Sequence, residues 1–192
     1  GGGSHSQEIY RKLTKGKLFA FDQDPDAKKN AERFHSDENR SFFFVSANFR
    51  FLSKYLKFYK QSGVDGILAD LGVSSHQFDE GERGFSTRFD GDLDMRMDQS
   101  SERSAADIVN EYDEKDLVHM FSYYGDIRNA RTLARAIIQC RQSTPIHSTR
   151  QLVEVAEKVA PKGKHAKYLA QLFQAIRIEV NDEMGALKEM LI

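Results

Sequence analysis

Among 192 residues there is one cysteine, there are three prolines, and there is no tryptophan, while the formal charges nearly cancel at −1. The lone Cys140 rules out an internal disulfide and any cysteine-based metal cluster. It sits in ARTLARAIIQC, in helical register with Leu133 and Ile137, and reads as a buried, inert thiol. With charge so balanced, nothing global calls for a nucleic-acid partner, so such a partner has to be read from local patches. No apolar run approaches the ~18 residues of a membrane span. No secretory signal pattern opens the chain, and the expected location is the cytoplasm. Internal repeats and low-complexity tracts are also missing. The chain starts with GGGSHS, lacks an initiating Met and stops at LKEMLI, partway through an amphipathic pattern; the expectation is that its flanks are missing. What remains is ordinary globular composition, 40% hydrophobic and 30% charged, enough apolar material for a core. The length suits one large domain or two small ones.

The first half alternates helix and strand signals. SQEIYRKL reads as a helix entered from the glycine-rich start. Residues 17–22, 41–49 and 64–72 (KLFAFD, SFFFVSANF, VDGILADLG) read as three buried strands. Pro25 opens a helix running to about Phe34, with Asp24 as its N-cap. RFLSKYLKFYKQ has helical spacing at Phe51, Leu52, Tyr55, Leu56 and Tyr59. Strands alternating with helices imply a parallel sheet with right-handed crossovers. After about Ser100 the strand signal stops. AADIVNEY, EKDLVHMFSYYG, IRNARTLARAIIQCRQ, STRQLVEVAEKVA and a long final pattern from Lys167 are helical, punctuated by Pro145 and Pro161. Ser148 and Thr149 offer a cap for the fourth of these helices. The expected division is 1–100 α/β, 101–180 helical, and 181–192 a helix leading back toward the sheet.

Four features fall on successive strand ends of that sheet. GGGSHS precedes a helix whose first-turn N–H groups favour an anion, although a flexible terminus would look the same. Asp22 ends a strand ~20 residues past a glycine-rich turn, a position suited to the two hydroxyls of a ribose; the alternative is that it only caps the next helix. Phe49 either lies along an adenine face or belongs to the core. Asp70, with Leu71, Gly72, Ser74, Ser75 and Gln77, either faces a ligand or orders its own loop. A nucleoside-containing cofactor would touch all four.

Seven carboxylates between Asp79 and Asp98 are interleaved with Arg83, Arg88 and Arg96. The spacing of a calcium loop is absent, so ion pairs within an ordered loop are expected, and no metal. Phe85, Phe89, Leu93, Met95 and Met97 show that this stretch is no passive linker. Further on, Arg128, Arg131 and Arg135 recur at helical spacing, with Arg141, Lys162, Lys164, His165 and Lys167 adding positive charge. That face either binds phosphates or is simply solvated. No Ser-His-Asp arrangement and no paired acid and base declare themselves.

The segment ADLGVSSHQFDEGERGFSTRFDGDLDMRMD closely resembles the signature of the RsmH (MraW) family, bacterial S-adenosylmethionine-dependent methyltransferases of the exocyclic amine of a cytidine in 16S ribosomal RNA. GGGSHS is similar to that family's glycine-rich loop, KLFAFDQDPDA to its acidic second-strand motif, and AIRIEVN at 175–181 to the end of its inserted helical domain. The resemblance implies a Rossmann-like class I methyltransferase fold, incomplete here, carrying an inserted all-helical domain for substrate recognition. It implies S-adenosylmethionine as cofactor and 16S ribosomal RNA of the small subunit as partner. It places Gly3, Ser4 and His5 on the cofactor, with Ser4 standing where the family has glycine. It places Asp22 on the ribose, Phe49 along the adenine, and Asp70 and Gln77 in the rest of the pocket. Asp94 and Arg96 fall in the family's L-D-M-R-M-D segment, near the target base. Asp70 is the candidate acceptor of an N–H bond from the cytosine amine, and Arg96, Arg128, Arg131 and Arg135 are the candidate RNA contacts. The competing classes are a nicotinamide-dependent oxidoreductase, which lacks its G-x-G-x-x-G spacing here, and an RNA-binding module with a vestigial nucleotide-binding fold.

Overall fold

The structure, a computed structural model, describes residues 2–192, with only the backbone of His76. Gly1 of the glycine-rich start lies outside the described residues. The chain divides into two compact units, residues 2–76 with Glu183–Ile192, and Gln77–Asp182.

In the first unit α1 (Ser4–Lys12) follows Gly3, whose φ of 77° glycine adopts without strain. β1 (Gly16–Asp22) and β2 (Arg40–Ser46) pair in parallel, Gly16 opposite Arg40 and Asp22 opposite Ser46. Between them runs α2 (Ala27–Ala31). Side chains alternate across the two faces, as the period of two in a strand requires. On one face Phe19 stacks on Phe43 at 4.7 Å, both meet Tyr59, and Phe21 meets Tyr55 of α3 (Leu52–Phe58). On the other, Phe42 stacks on Phe34 at 4.0 Å and meets Tyr10 of α1 edge-on. The Tyr10 hydroxyl donates to the carbonyl of His35 at 2.8 Å. A 3-10 turn, Phe49–Phe51, precedes α3. The last helix of the chain (Glu183–Leu191) lies against this turn, with Arg50 and Glu189 at 3.4 Å.

Three expectations for this unit need correction. The segment 64–72 is not a strand. It has no hydrogen-bonded strand neighbour among the described residues, and Ile67 and Leu68 are 63% and 61% exposed. A strand exists only as half of a ladder. The second strand ends at Ser46 rather than Phe49, because the Asn48 side chain accepts the Arg50 N–H and turns the chain into the 3-10 turn. The helix after Pro25 is short, ending at Ala31.

Across the boundary runs α4 (Ser75–Asp79). The second unit then adds α5 (Ala105–Glu111), α6 (Glu114–Tyr123), α7 (Ala130–Ser143), α8 (Thr149–Glu157) and α9 (His165–Val180); the last helix of the chain is α10. Capping is explicit: Ser104 with Asp107, and Ser148 with Gln151, form reciprocal capping boxes, and Asp113 accepts the Asp116 N–H. The largest fully buried side chains among the described residues all belong here, among them Phe121, Leu133, Ile137, Leu172 and Ile176. Cys140 shares their register but is half-buried, on the flank of the apolar stripe.

The charged stretch is part of this core. Leu93 and Met95 are 1% and 0% exposed, and Phe85 and Met97 are also buried, whereas Phe89 stays exposed. Its backbone is satisfied from several directions. Leu93 N–H bonds the carbonyl of His147, Thr149 bonds Phe89 and Gly91, and the Arg83 guanidinium donates to the carbonyls of Arg96 and Met97. Gly84, at φ 73°, lies so close to Asp92 O and Asp94 N that a Cβ would not fit. The Asn181 side chain accepts the Met97 N–H at 2.7 Å and donates to Met95 O at 2.8 Å and Arg177 O at 2.9 Å. There the expected single final helix breaks, with Asp182 at φ 44° separating α9 from α10.

Asn181→Ala removes that bridge and leaves buried backbone groups without partners. Urea unfolding is expected to show a loss of about 2–4 kcal/mol; a loss below about 0.5 kcal/mol, the usual range for an ordinary surface change, contradicts the role assigned to it.

Candidate functional site

Of the seven predicted cofactor residues, Gly3 and Asp22 meet in one cleft at the carboxyl end of the β1–β2 pair, and Ser4, His5, Phe49, Asp70 and Gln77 do not line it. Gly3 and Asp22, with Asn30 and Phe44 among others, line one cleft of about 60 Å³. That volume is well below the ~300 Å³ of a typical ligand pocket. No side chain caps α1 at Gly3, which leaves the helix start suited to an anion or carboxylate. Ser4 and His5 form the exposed first turn. His5 Nδ1 lies 3.2 Å from Asp70 Oδ2, with both side chains exposed.

Asp22 does not stand idle. Its Oδ1 accepts the Asp24 N–H at 2.9 Å, and Asp24 Oδ1 in turn accepts the Asp26 N–H at 3.0 Å. Two successive carboxylates thus fold the turn at the strand end, and the Asn48 amide fixes Gln23 at 2.8 Å. The expected Asp24 N-cap is not formed: α2 starts at Ala27 with Asp26 at its N-cap position, and Asp24, like Asp22, instead orders the turn before it. Phe49 is half-buried at the start of the 3-10 turn. Gln77 is 4% exposed and belongs to the second unit.

Arg96 is committed to Asp94. Its Nε and Nη2 bond the two carboxylate oxygens at 2.7 and 2.9 Å, and its Nη1 bonds the Ser101 carbonyl at 2.7 Å. Burial pushes the Asp94 carboxyl up, but hydrogen bonds from Arg96 and the charges of Arg96 and Arg83 outweigh it and hold the carboxyl below its ordinary value. Ion pairs Arg88–Asp79 at 3.1 Å and Arg150–Asp90 at 3.3 Å occupy two further carboxylates of this stretch.

Arg131 and Arg135 share an exposed face of α7, 4.0 and 3.0 Å from Glu114 of α6. Arg128, also exposed, precedes the helix and so does not continue their stripe. Arg141 leaves the basic face altogether. Its guanidinium donates to Val109 O and Tyr112 O, both at 2.7 Å, and closes the C-terminus of α5.

The second unit also holds a hollow of about 620 Å³ that sequence reasoning did not foresee, lined by Arg103, Asp107, Ile108, Glu111, Tyr112 and Glu179 among others. The Tyr112 hydroxyl donates to Glu179 Oε1 at 2.7 Å. Burial first, and the Glu179 hydrogen bond second, push its pKa up to about 12. The carboxylates of this rim repel phosphate. Only the pairing of a tyrosine with an acid 67 residues away creates it, and no local motif signals that.

A sequence profile of the MraW methylase family matches residues 1–192. The chain is 55% identical over 192 residues to the ribosomal RNA small subunit methyltransferase H of Flavobacterium johnsoniae, covering all of this chain and 62% of the relative. It is 51% identical over 191 residues to the protein of that name in Cytophaga hutchinsonii, at 63% of the relative's length. For the one in Parabacteroides distasonis the identity is 49% over 193 residues, at 62% of its length. The chain therefore spans under two thirds of the curated relatives it matches.

A carboxyl held low in the folded state stabilises it above the unfolded pKa, ~3.9 for aspartate, and that stabilisation disappears as pH falls through the depressed folded value. The stability gap between the parent chain and Asp94→Asn is therefore expected to be full at neutral pH and to narrow below about pH 4. Urea unfolding across pH checks this, and a gap constant with pH contradicts it.

Proposed function

Because the chain belongs to the MraW methylase family, we propose that it carries the cofactor corner and the RNA-gripping helices of an S-adenosylmethionine-dependent enzyme that methylates the exocyclic amine of a cytidine in 16S ribosomal RNA of the small subunit, in the cytoplasm. The observation that carries this reading is that Gly3 and Asp22 line one cleft at the carboxyl end of a parallel sheet. Open α/β sheets place their ligands at that edge.

The residues suit this cofactor. Its carboxylate matches the first-turn N–H groups of α1, where no side chain caps the helix. Its ribose hydroxyls match the Asp22 carboxylate, which the Asp24 N–H already orients. Phe49 offers a ring to the adenine, and Ser4, His5 and Asp70, all of the first unit, complete the set. When bound, the cofactor supplies an electrophilic methyl group on a sulfonium.

The chain's own contribution is mainly geometric, since holding reactants in line removes much of such a barrier. A cytosine amine is a weak nucleophile because its lone pair is delocalised into the ring. Asp70 accepts one of its N–H bonds and raises the electron density on nitrogen, while His5, at 3.2 Å, steadies the carboxylate. The target base leaves its stack to be reached. Arg131 and Arg135, with Arg128, hold backbone phosphates, whereas Arg96, engaged by Asp94 and the Ser101 carbonyl, orders its own loop.

Calorimetric titration tests the cofactor reading. S-adenosylmethionine is expected to bind the full-length protein, and Asp22→Ala is expected to abolish binding; binding of a nicotinamide dinucleotide instead overturns the reading, and RNA binding without any cofactor supports a vestigial RNA-binding module. For the RNA face, the double change Arg131→Gln with Arg135→Gln is expected to flatten the slope of log affinity against log salt by about 1.4 on a single strand. An unchanged slope removes these arginines from the interface.

A further inference from the structure

We propose that an exposed stripe on α6, formed by Lys115, His119 and Tyr123, is a stacking platform for unpaired bases of single-stranded RNA; the proposal rests on the ribosomal RNA reading above. The three residues stand four apart along one helix, so they share a face. Leu117, Met120 and Phe121 hold the opposite face in the core and fix the stripe's orientation. Tyr123 is 68% exposed. Its ring and the His119 ring are nearly parallel, with centroids 5.4 Å apart and planes at 16°, an offset stack. Tyr124 stands across both rings, 5.3 Å from Tyr123 and 6.4 Å from His119, at 65° and 80°. It is half-buried, and its carbonyl accepts from Gln174 of α9 at 3.2 Å, so this brace is anchored.

An aromatic step assembled in this way and left in solvent adds nothing to the core. A nucleobase is the partner whose flat face continues the stack, and stacking tolerates any base because every base has such a face. The charge on the stripe suits the same partner. Lys115 is exposed and forms no ion pair among the described residues, whereas Arg131 and Arg135 on the adjacent helix are paired with Glu114. An ammonium one turn from two stacked rings meets a phosphate beside a stacked base. A single strand is required, because a duplex buries its base faces.

Fluorescence anisotropy with a labelled, unstructured oligocytidine tests this on the full-length protein. Tyr123→Ala is expected to weaken binding roughly tenfold, and Tyr123→Phe to keep it, with thermal unfolding midpoints alike in all three proteins. Lys115→Gln is expected to flatten the salt slope by about 0.7. Equal affinity of Tyr123→Ala and the parent overturns the platform. So does a parent that dimerises through this face and becomes monomeric in Tyr123→Ala with its RNA affinity intact. Failure of the parent to bind RNA overturns it too, whereas failure to bind S-adenosylmethionine alone overturns the methyltransferase reading and leaves the platform to the RNA result.

Discussion

One carboxamide joins the parts of the second unit that are farthest apart in sequence. Asn181, at the end of α9, bonds both sides of the turn at Met95–Met97 and its own helix at Arg177. The turn is difficult to hold otherwise. Met95 is fully buried with φ at 60°, a conformation that side chains other than glycine and asparagine adopt at a cost. Its neighbours are Asp94 and Arg96, so apolar contact alone does not fix it. A buried backbone needs partners, and Asn181 and Arg83 supply them from opposite sides of the sequence. Once the turn is fixed, the carbonyls of Leu93 and Asp94 accept the N–H groups of Ala106 and Ala105, and α5 starts from a set position. α5 in turn packs against α7 and α9.

The first unit is held differently. It owns none of the largest fully buried side chains, and its cohesion comes from aromatic rings laid over both faces of two strands. A two-stranded sheet has little independent stability. Its phenylalanines are accordingly half-buried, and the apolar run at Ile67 and Leu68 lies in solvent. The contrast has a chemical consequence, because strand ends, helix starts and carboxylates remain accessible at this sheet edge.

What the sequence made legible was whatever is decided within a turn or two of chain. The amphipathic helices of the second unit, the Ser148 cap and the parallel pairing of β1 with β2 are local or follow from alternation. Most of the failures lie with neighbours that the local segment does not contain. VDGILADLG has the composition of a strand but no strand beside it among the described residues. The pattern from Lys167 continues smoothly in hydrophobicity, yet Asn181 is drawn aside by backbone groups at 95 and 97. Arg141 looks like part of a basic face until the α5 carbonyls claim it. Composition registers what a residue is able to do, and only the fold determines which neighbour it meets.

The strand-end carboxylates show why a structural role and a binding role need not compete. The sequence posed Asp22 as a choice between ordering the next turn and holding a ribose. A carboxylate offers about four acceptor sites, so accepting the Asp24 N–H and holding a ligand do not exclude each other. That bond lowers the entropy of the side chain before any ligand arrives, which is what preorganisation requires. Asp70 follows the same logic by a different route, held by the His5 ring 3.2 Å away rather than by its own turn. His5 belongs to the first turn of α1, so the glycine-rich start and Asp70 touch.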